Sequence, residues 1–141
     1  MKKMINLALC YAIAAMAGGV FYREFTKYMG FTGKTTLSVL HTHLFLLGMV
    51  MFLVVALFCA HTPLLKNKRF KGFLLTYNTE VVLTAVMLLV RGVLQALETP
   101  LGRGADAAIS GISGVGHILT GVGIILLLLV LRQIAEAKKD N

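Results

Sequence analysis

The chain has 141 residues, 57% of them hydrophobic and 14% charged, with a net charge of +8, and its mean hydropathy is +0.82. A soluble domain carries about a quarter charged residues, so this composition excludes an ordinary soluble enzyme and indicates a single-domain integral membrane protein. In so apolar a chain the positive charge belongs to lysines and arginines flanking the spans, and nucleic-acid binding is not expected.

A spanning helix needs about 20 apolar residues; four such helices with short loops account for nearly the whole length. The expected fold is all-α, a four-helix membrane bundle over residues 1–141, with spans at about 4–22, 35–60, 72–97 and 107–131. The first span follows Lys2 and Lys3. Its basic start and Ala15-Met16-Ala17 also fit a signal peptide, but the apolar run continues through Gly18-Gly19-Val20-Phe21-Tyr22, longer than a typical signal core. Ala14, Ala15, Gly18 and Gly19 give it a small-residue face for close helix approach. A polar loop, Arg23 to Lys34, comes next.

The second span opens on Leu40-His41-Thr42-His43 and carries no charge from Leu44 to Ala60. His61 and Pro63 close it, and the basic loop Lys66-Asn67-Lys68-Arg69-Phe70-Lys71 follows. The third span holds Tyr77, Asn78, Glu80 and Arg91, and Pro100, Gly102 and Gly104 mark the next turn. The fourth holds Ser110, Gly111, Gly114, Gly116, His117, Gly121 and Gly123, and the charged tail runs from Arg132 to Asn141. Cys10 and Cys59 lie in apolar runs with no metal-ligand spacing, which marks them as packing residues.

Charge sets the orientation. With the N-terminus inside, nine lysines and arginines lie on the inner segments and four, Arg23, Lys27, Lys34 and Arg103, on the outer loops. The positive-inside rule then puts both termini in the cytoplasm, in the inner (cytoplasmic) membrane. At about 1.5 Å per residue, His41 and His43 lie roughly 7–11 Å to the outer side of the middle of span two. His117 lies roughly 4–5 Å to the outer side in span four, and Arg91 stands at a comparable level. Glu80 falls roughly 7 Å to the inner side of span three.

Histidines in membrane spans mark sites by default, and neutral imidazole is a common metal ligand. In a helix bundle it can ligate haem iron. Residues i and i+2 of a helix are roughly 200° apart, so His41 and His43 cannot easily hold one iron. They can serve two sites, one on each flank of span two, as in a ring of identical subunits. The span-four glycines leave a groove for a flat macrocycle or for another helix. Arg91 can reach haem propionates, pair with Glu98 or snorkel to the headgroups. Glu80 can relay protons or sit hydrogen-bonded to Tyr77 or Asn78. The histidines can also cap or hydrogen-bond inside a bundle that holds no cofactor, and His61 reads as an interfacial residue.

Val20-Phe21-Tyr22-Arg23-Glu24-Phe25-Thr26-Lys27, with Leu40-His41-Thr42-His43 and Leu47-Gly48-Met49, resembles a family of small four-span bacterial membrane proteins of unknown function along essentially its whole length. The His-x-His pair on the second span, its outer-leaflet depth and the glycine after it (Gly48) are also similar to the catalytic subunit of haem-copper oxidases. That subunit is built from three pseudo-equivalent four-helix arcs whose second helices carry histidine ligands. The present chain looks like one arc. The spacing from the pair to the glycine differs by one residue, and the copper-site histidines and the His-Pro-Glu-Val-Tyr type motif are absent, so oxygen reduction is not implied. The resemblance implies a homotrimer with haem, most simply b-type, between protomers, held by His41 and His43; His117 has no assured counterpart. The leading expectation is therefore a membrane haem protein for electron transfer or for haem or gas binding, with an unidentified redox partner. The alternatives are a metal-ion or proton transporter and a cofactor-free structural or assembly subunit.

Overall fold

A computed structural model describes residues 1–139 of the chain; Asp140 and Asn141 of the tail lie outside the described residues. The described residues are helical and contain no strand. We label the long helices α1 (Lys2–Tyr28), α2 (Leu37–His61), α3 (Lys68–Ala96) and α4 (Arg103–Lys139). A single 3-10 turn, Leu64–Lys66, joins α2 to α3. All four helices are long and apolar enough to cross a membrane. Their outer surfaces agree: Leu9 is 59% exposed and Ile118 68%. Apolar surface on this scale needs lipid rather than water around it.

The helix ends follow local chemistry. α1 continues through the expected loop as far as Tyr28, because nothing from Arg23 to Lys27 breaks a helix; polarity alone does not. It stops where Gly30 takes φ +63 and the N–H groups of Gly30 and Phe31 bond the carbonyls of Lys27 and Thr26 at 3.2 and 2.9 Å, the paired closure of a Schellman motif. α2 ends at Thr62, held extended because the following Pro63 disfavours the helical region. α3 begins inside the basic run, four residues before the expected start, because the Asn67 side chain caps it by accepting from Arg69 N–H at 2.9 Å. α4 begins at Arg103, with Asp106 in its first turn against the positive helix end. It carries through position 131 into the tail.

Helices adjacent in sequence are adjacent in space: α1 packs on α2, α2 on α3 and α3 on α4. α1 and α4 thus lie at the two ends of an open row. An aromatic run ties three of the helices together. Tyr11 stacks on Phe52 at 5.6 Å, Phe52 meets Tyr77 edge-on at 6.0 Å, and Phe73 and Phe70 continue it at 5.3 and 5.6 Å. Two close approaches set the spacing. A Cβ on Gly48 would fall 2.5 Å from Tyr11 Cγ, and one on Gly92 would fall 2.6 Å from the Leu37 backbone nitrogen.

Between Leu44 and Val50, α2 is π-helical. Such turns are rare and frequently lie at functional sites. This one begins directly after His43.

Candidate functional site

The register of α2 against α3 is pinned where α2 begins and α3 ends. Thr35 donates to the Gly92 carbonyl at 2.8 Å, Thr36 donates to that of Leu88 at 2.9 Å, and the Thr36 N–H reaches the Gln95 side-chain oxygen at 2.8 Å. Seven residues further along α2, this register brings His43 to Glu80, with Nε2 3.8 Å from Oε1. The sequence-based depths placed these two residues on opposite sides of the membrane middle; the pinned register puts them side by side.

Glu80 is fully buried and the His43 side chain is 17% exposed. Thr84, one turn on, donates to Glu80 Oε1 at 3.1 Å; the Thr120 hydroxyl of α4 donates to the Gly116 carbonyl at 3.1 Å. The expected bonds from Glu80 to Tyr77 or Asn78 are not made. Tyr77 donates to the Leu47 carbonyl inside the π-helical stretch at 3.0 Å, and Asn78 accepts from Tyr11 at 2.7 Å. The cluster of His43, Glu80 and Thr84 joins α2 to α3, and Gly116 of α4 packs against Thr84. Its open valences are His43 Nε2 and Glu80 Oε2, both buried without a hydrogen-bond partner.

His41 takes the other flank of α2. Its side chain lies over Gly19 of α1, whose Cβ would stand 3.6 Å from it. Its Nδ1 is also buried and without a hydrogen-bond partner. The pair therefore splits as helical geometry requires, His41 toward α1 and His43 toward α3.

His117 is exposed on α4 and bonds the Ser113 carbonyl through Nδ1 at 2.9 Å. A carbonyl only accepts, so Nδ1 carries the proton, and in the neutral ring Nε2 keeps its lone pair. Around it the glycines divide into two sets. Gly116 and Gly123 pack against Thr84 and Tyr77 of α3, whereas Gly111, Gly114 and Gly121 have nothing near them. The single groove expected along span four is thus two faces, one closed by α3 and one open.

Arg91 stands apart from the histidines, eleven residues beyond Glu80 along α3, roughly 16 Å at the α-helical rise. Its guanidinium bonds the Asp106 carboxylate and the Ser110 hydroxyl, each at 2.8 Å. Its carboxylate partner is Asp106, not Glu98. An acid in the first turn of α4 was the sequence signal for this pair. His61 ends α2 in an exposed position. Among the described residues no group of three or more His, Cys, Asp or Glu gathers to hold a metal ion.

An apolar groove of about 530 Å³ lies between α1 and α3 with α2 as its floor, lined by Tyr11, Gly18, Phe21, Leu40, Leu44 and Leu89 among others. Leu40 and Leu44 flank the histidine pair in sequence.

Four apolar helices in an open row, with a buried His–Glu cluster and a second histidine on the opposite flank of the same helix, define a multi-pass membrane protein with a polar site inside its apolar layer. The chain matches, over residues 1–134, the family described as "Protein of unknown function (DUF2871)" and belongs to it. No curated protein matches the chain, and no solved structure does.

Proposed function

We propose that the protein binds haem, most simply b-type, in the cytoplasmic membrane through His41 and His43 of α2, for electron transfer or for binding a diatomic gas. The observation that carries this reading is the buried His41 Nδ1, which has no hydrogen-bond partner, with His43 on the opposite flank of the same helix holding its Nε2 3.8 Å from Glu80 Oε1. A buried polar atom without a partner calls for an explanation, and imidazole nitrogen inside an apolar layer is a common metal ligand. When bound, the haem would supply a one-electron couple or an open iron position.

Three further features support the reading. His117 holds its Nε2 free beside an open glycine face. The groove against Leu40 and Leu44 offers an apolar bed beside the pair. Bonding from i to i+5 closes one more residue per turn than bonding from i to i+4. The π-helical stretch lies in the interval where the His-to-Gly spacing differs by one residue from the haem-copper pattern. The homotrimer with haem between subunits and the cytoplasmic termini rest on the resemblance and on the charge distribution, because His41 and His43 face α1 and α3 of their own chain. Arg91 is spent on Asp106 and Ser110 and plays a smaller part.

Purification from haem-replete cells gives the test. A Soret band is expected, altered in both His41→Ala and His43→Ala. A colourless protein after haem supplementation would sink the reading, and an unchanged spectrum in both variants would move the ligand to His117.

A second reading, passage of protons or a metal ion, draws on the fully buried Glu80 beside His43. It predicts uptake into proteoliposomes that Glu80→Gln abolishes. A haem-loaded protein with no uptake would reject it.

A further inference from the structure

One end of the molecule carries the N-terminus, the turn between α2 and α3 and the last turns of α4. It gathers Lys2 and Lys3 with Lys66, Lys68, Arg69 and Lys71. A cleft of about 520 Å³ opens at this end between α2, the turn and α4, lined among others by His61, Asn67, Gln133 and Lys138. Among the described residues no carboxylate lines it, and the nearby Glu136 is held by Arg132 at 2.8 Å. The Asn67 side-chain oxygen is engaged by the Arg69 N–H, which leaves its amide NH2 to donate. The cleft thus presents an ammonium, an imidazole and two amides at the N-terminus of α3, where backbone N–H groups and the helix dipole also favour an anion.

The surface beneath the cleft decides what kind of anion fits. On a helix, residues four apart share a face. One turn toward the membrane middle from His61 stands Leu57, 63% exposed, and one turn from Gln133 stands Leu129, 45% exposed. An apolar strip therefore runs down from a polar, cationic cleft. A free phosphate occupies only part of the cleft and leaves the strip bare. A phospholipid covers both.

We propose that this cleft binds the phosphate of an anionic phospholipid whose acyl chain runs down over Leu57 and Leu129. Basic pockets at the ends of membrane helices suit such headgroups, and each lysine near an anionic surface contributes about 1 kcal/mol.

The full-length protein in mild detergent gives the test, with native mass spectrometry counting retained lipid and titrations in phosphatidylglycerol and in phosphatidylcholine. Phosphatidylglycerol is expected to be retained in preference to phosphatidylcholine, and Lys138→Gln to weaken it about fivefold. Leu57→Ser with Leu129→Ser should weaken the lipid but not glycerol phosphate. The paired change Lys2→Gln and Lys3→Gln, at the same end but not lining the cleft, should leave retention unchanged. Equal retention of both lipids overturns the proposal. So does an equal loss in the Lys2/Lys3 control, which would mean diffuse attraction, or glycerol phosphate competing at the lipid's own concentration, which would mean a plain phosphate site.

Discussion

At the residue scale the molecule turns on Glu80. A carboxylate with no exposed surface survives in an apolar layer only if its neighbours answer it, and His43 and Thr84 do so incompletely. Removing one partner of a buried polar pair strands the other, at about 1–3 kcal/mol, whereas replacing both with apolar groups is often close to neutral. Glu80→Leu and His43→Leu should therefore each lower the melting temperature in detergent, and the double variant should be more stable than the two losses added together. Strict additivity would mean that the residues do not interact. The His pair was legible in the sequence, because imidazoles in an uncharged run stand out and a spacing of two residues fixes opposite flanks. Glu80 as the neighbour of His43 was not. Depth counted from span centres ignores the stagger between helices, and the stagger here is set by Thr35, Thr36 and Gln95, which carry no distinctive pattern.

At the scale of the helices, span number and order were readable from hydropathy, and the ends were not, because they rest on caps. The α3 end shows the cost of an imperfect one. Glu98 occupies the left-handed position at φ 50, and the N–H groups of Glu98 and Thr99 close the turn on the carbonyls of Gln95 and Leu94 at 3.1 Å each. Glycine fills the same role after α1. The left-handed conformation costs a residue with a side chain about 1–2 kcal/mol, so Glu98→Gly should raise the melting temperature. No change or a fall would mean that the carboxylate contributes more than its backbone costs. The reverse holds where helices touch. Gly92→Ala presses a Cβ onto the Leu37 backbone and should destabilise by about 1–3 kcal/mol, the usual range for overpacking, while Gly121→Ala, in open space, should not.

At the scale of the whole molecule, the row of helices leaves α1 and α4 each with an unpartnered side, and the open face of α4 bears Gly111, Gly114 and Gly121 next to His117. If copies of the chain meet there, Gly114→Leu should abolish crosslinked trimers in mild detergent while leaving the monomer's melting behaviour unchanged. A crosslinking ladder identical to that of the parent chain would place the contact elsewhere. Composition made the membrane setting plain, but it could not separate the two glycine faces of α4, because one face is defined only by the Thr84 and Tyr77 side chains it meets.

The π-helical stretch governs the phase of α2. Each residue of an α-helix turns the chain by about 100°. The upper part of α2, with His41 and His43, and the lower part, with Phe52, Val55 and Ala56 in the core, form one rod, and the wider turn between them takes up one extra residue. Deleting the exposed Leu46 should let that turn relax to α-helical with His43 still against Glu80 and Phe52 still in the core, whereas the same number of residues wound as plain α-helix would turn His43 away by about 100°. One extra residue in the middle of an apolar run, which hydropathy does not register, is thus taken up by the wider turn, and the site stays in register with the bundle.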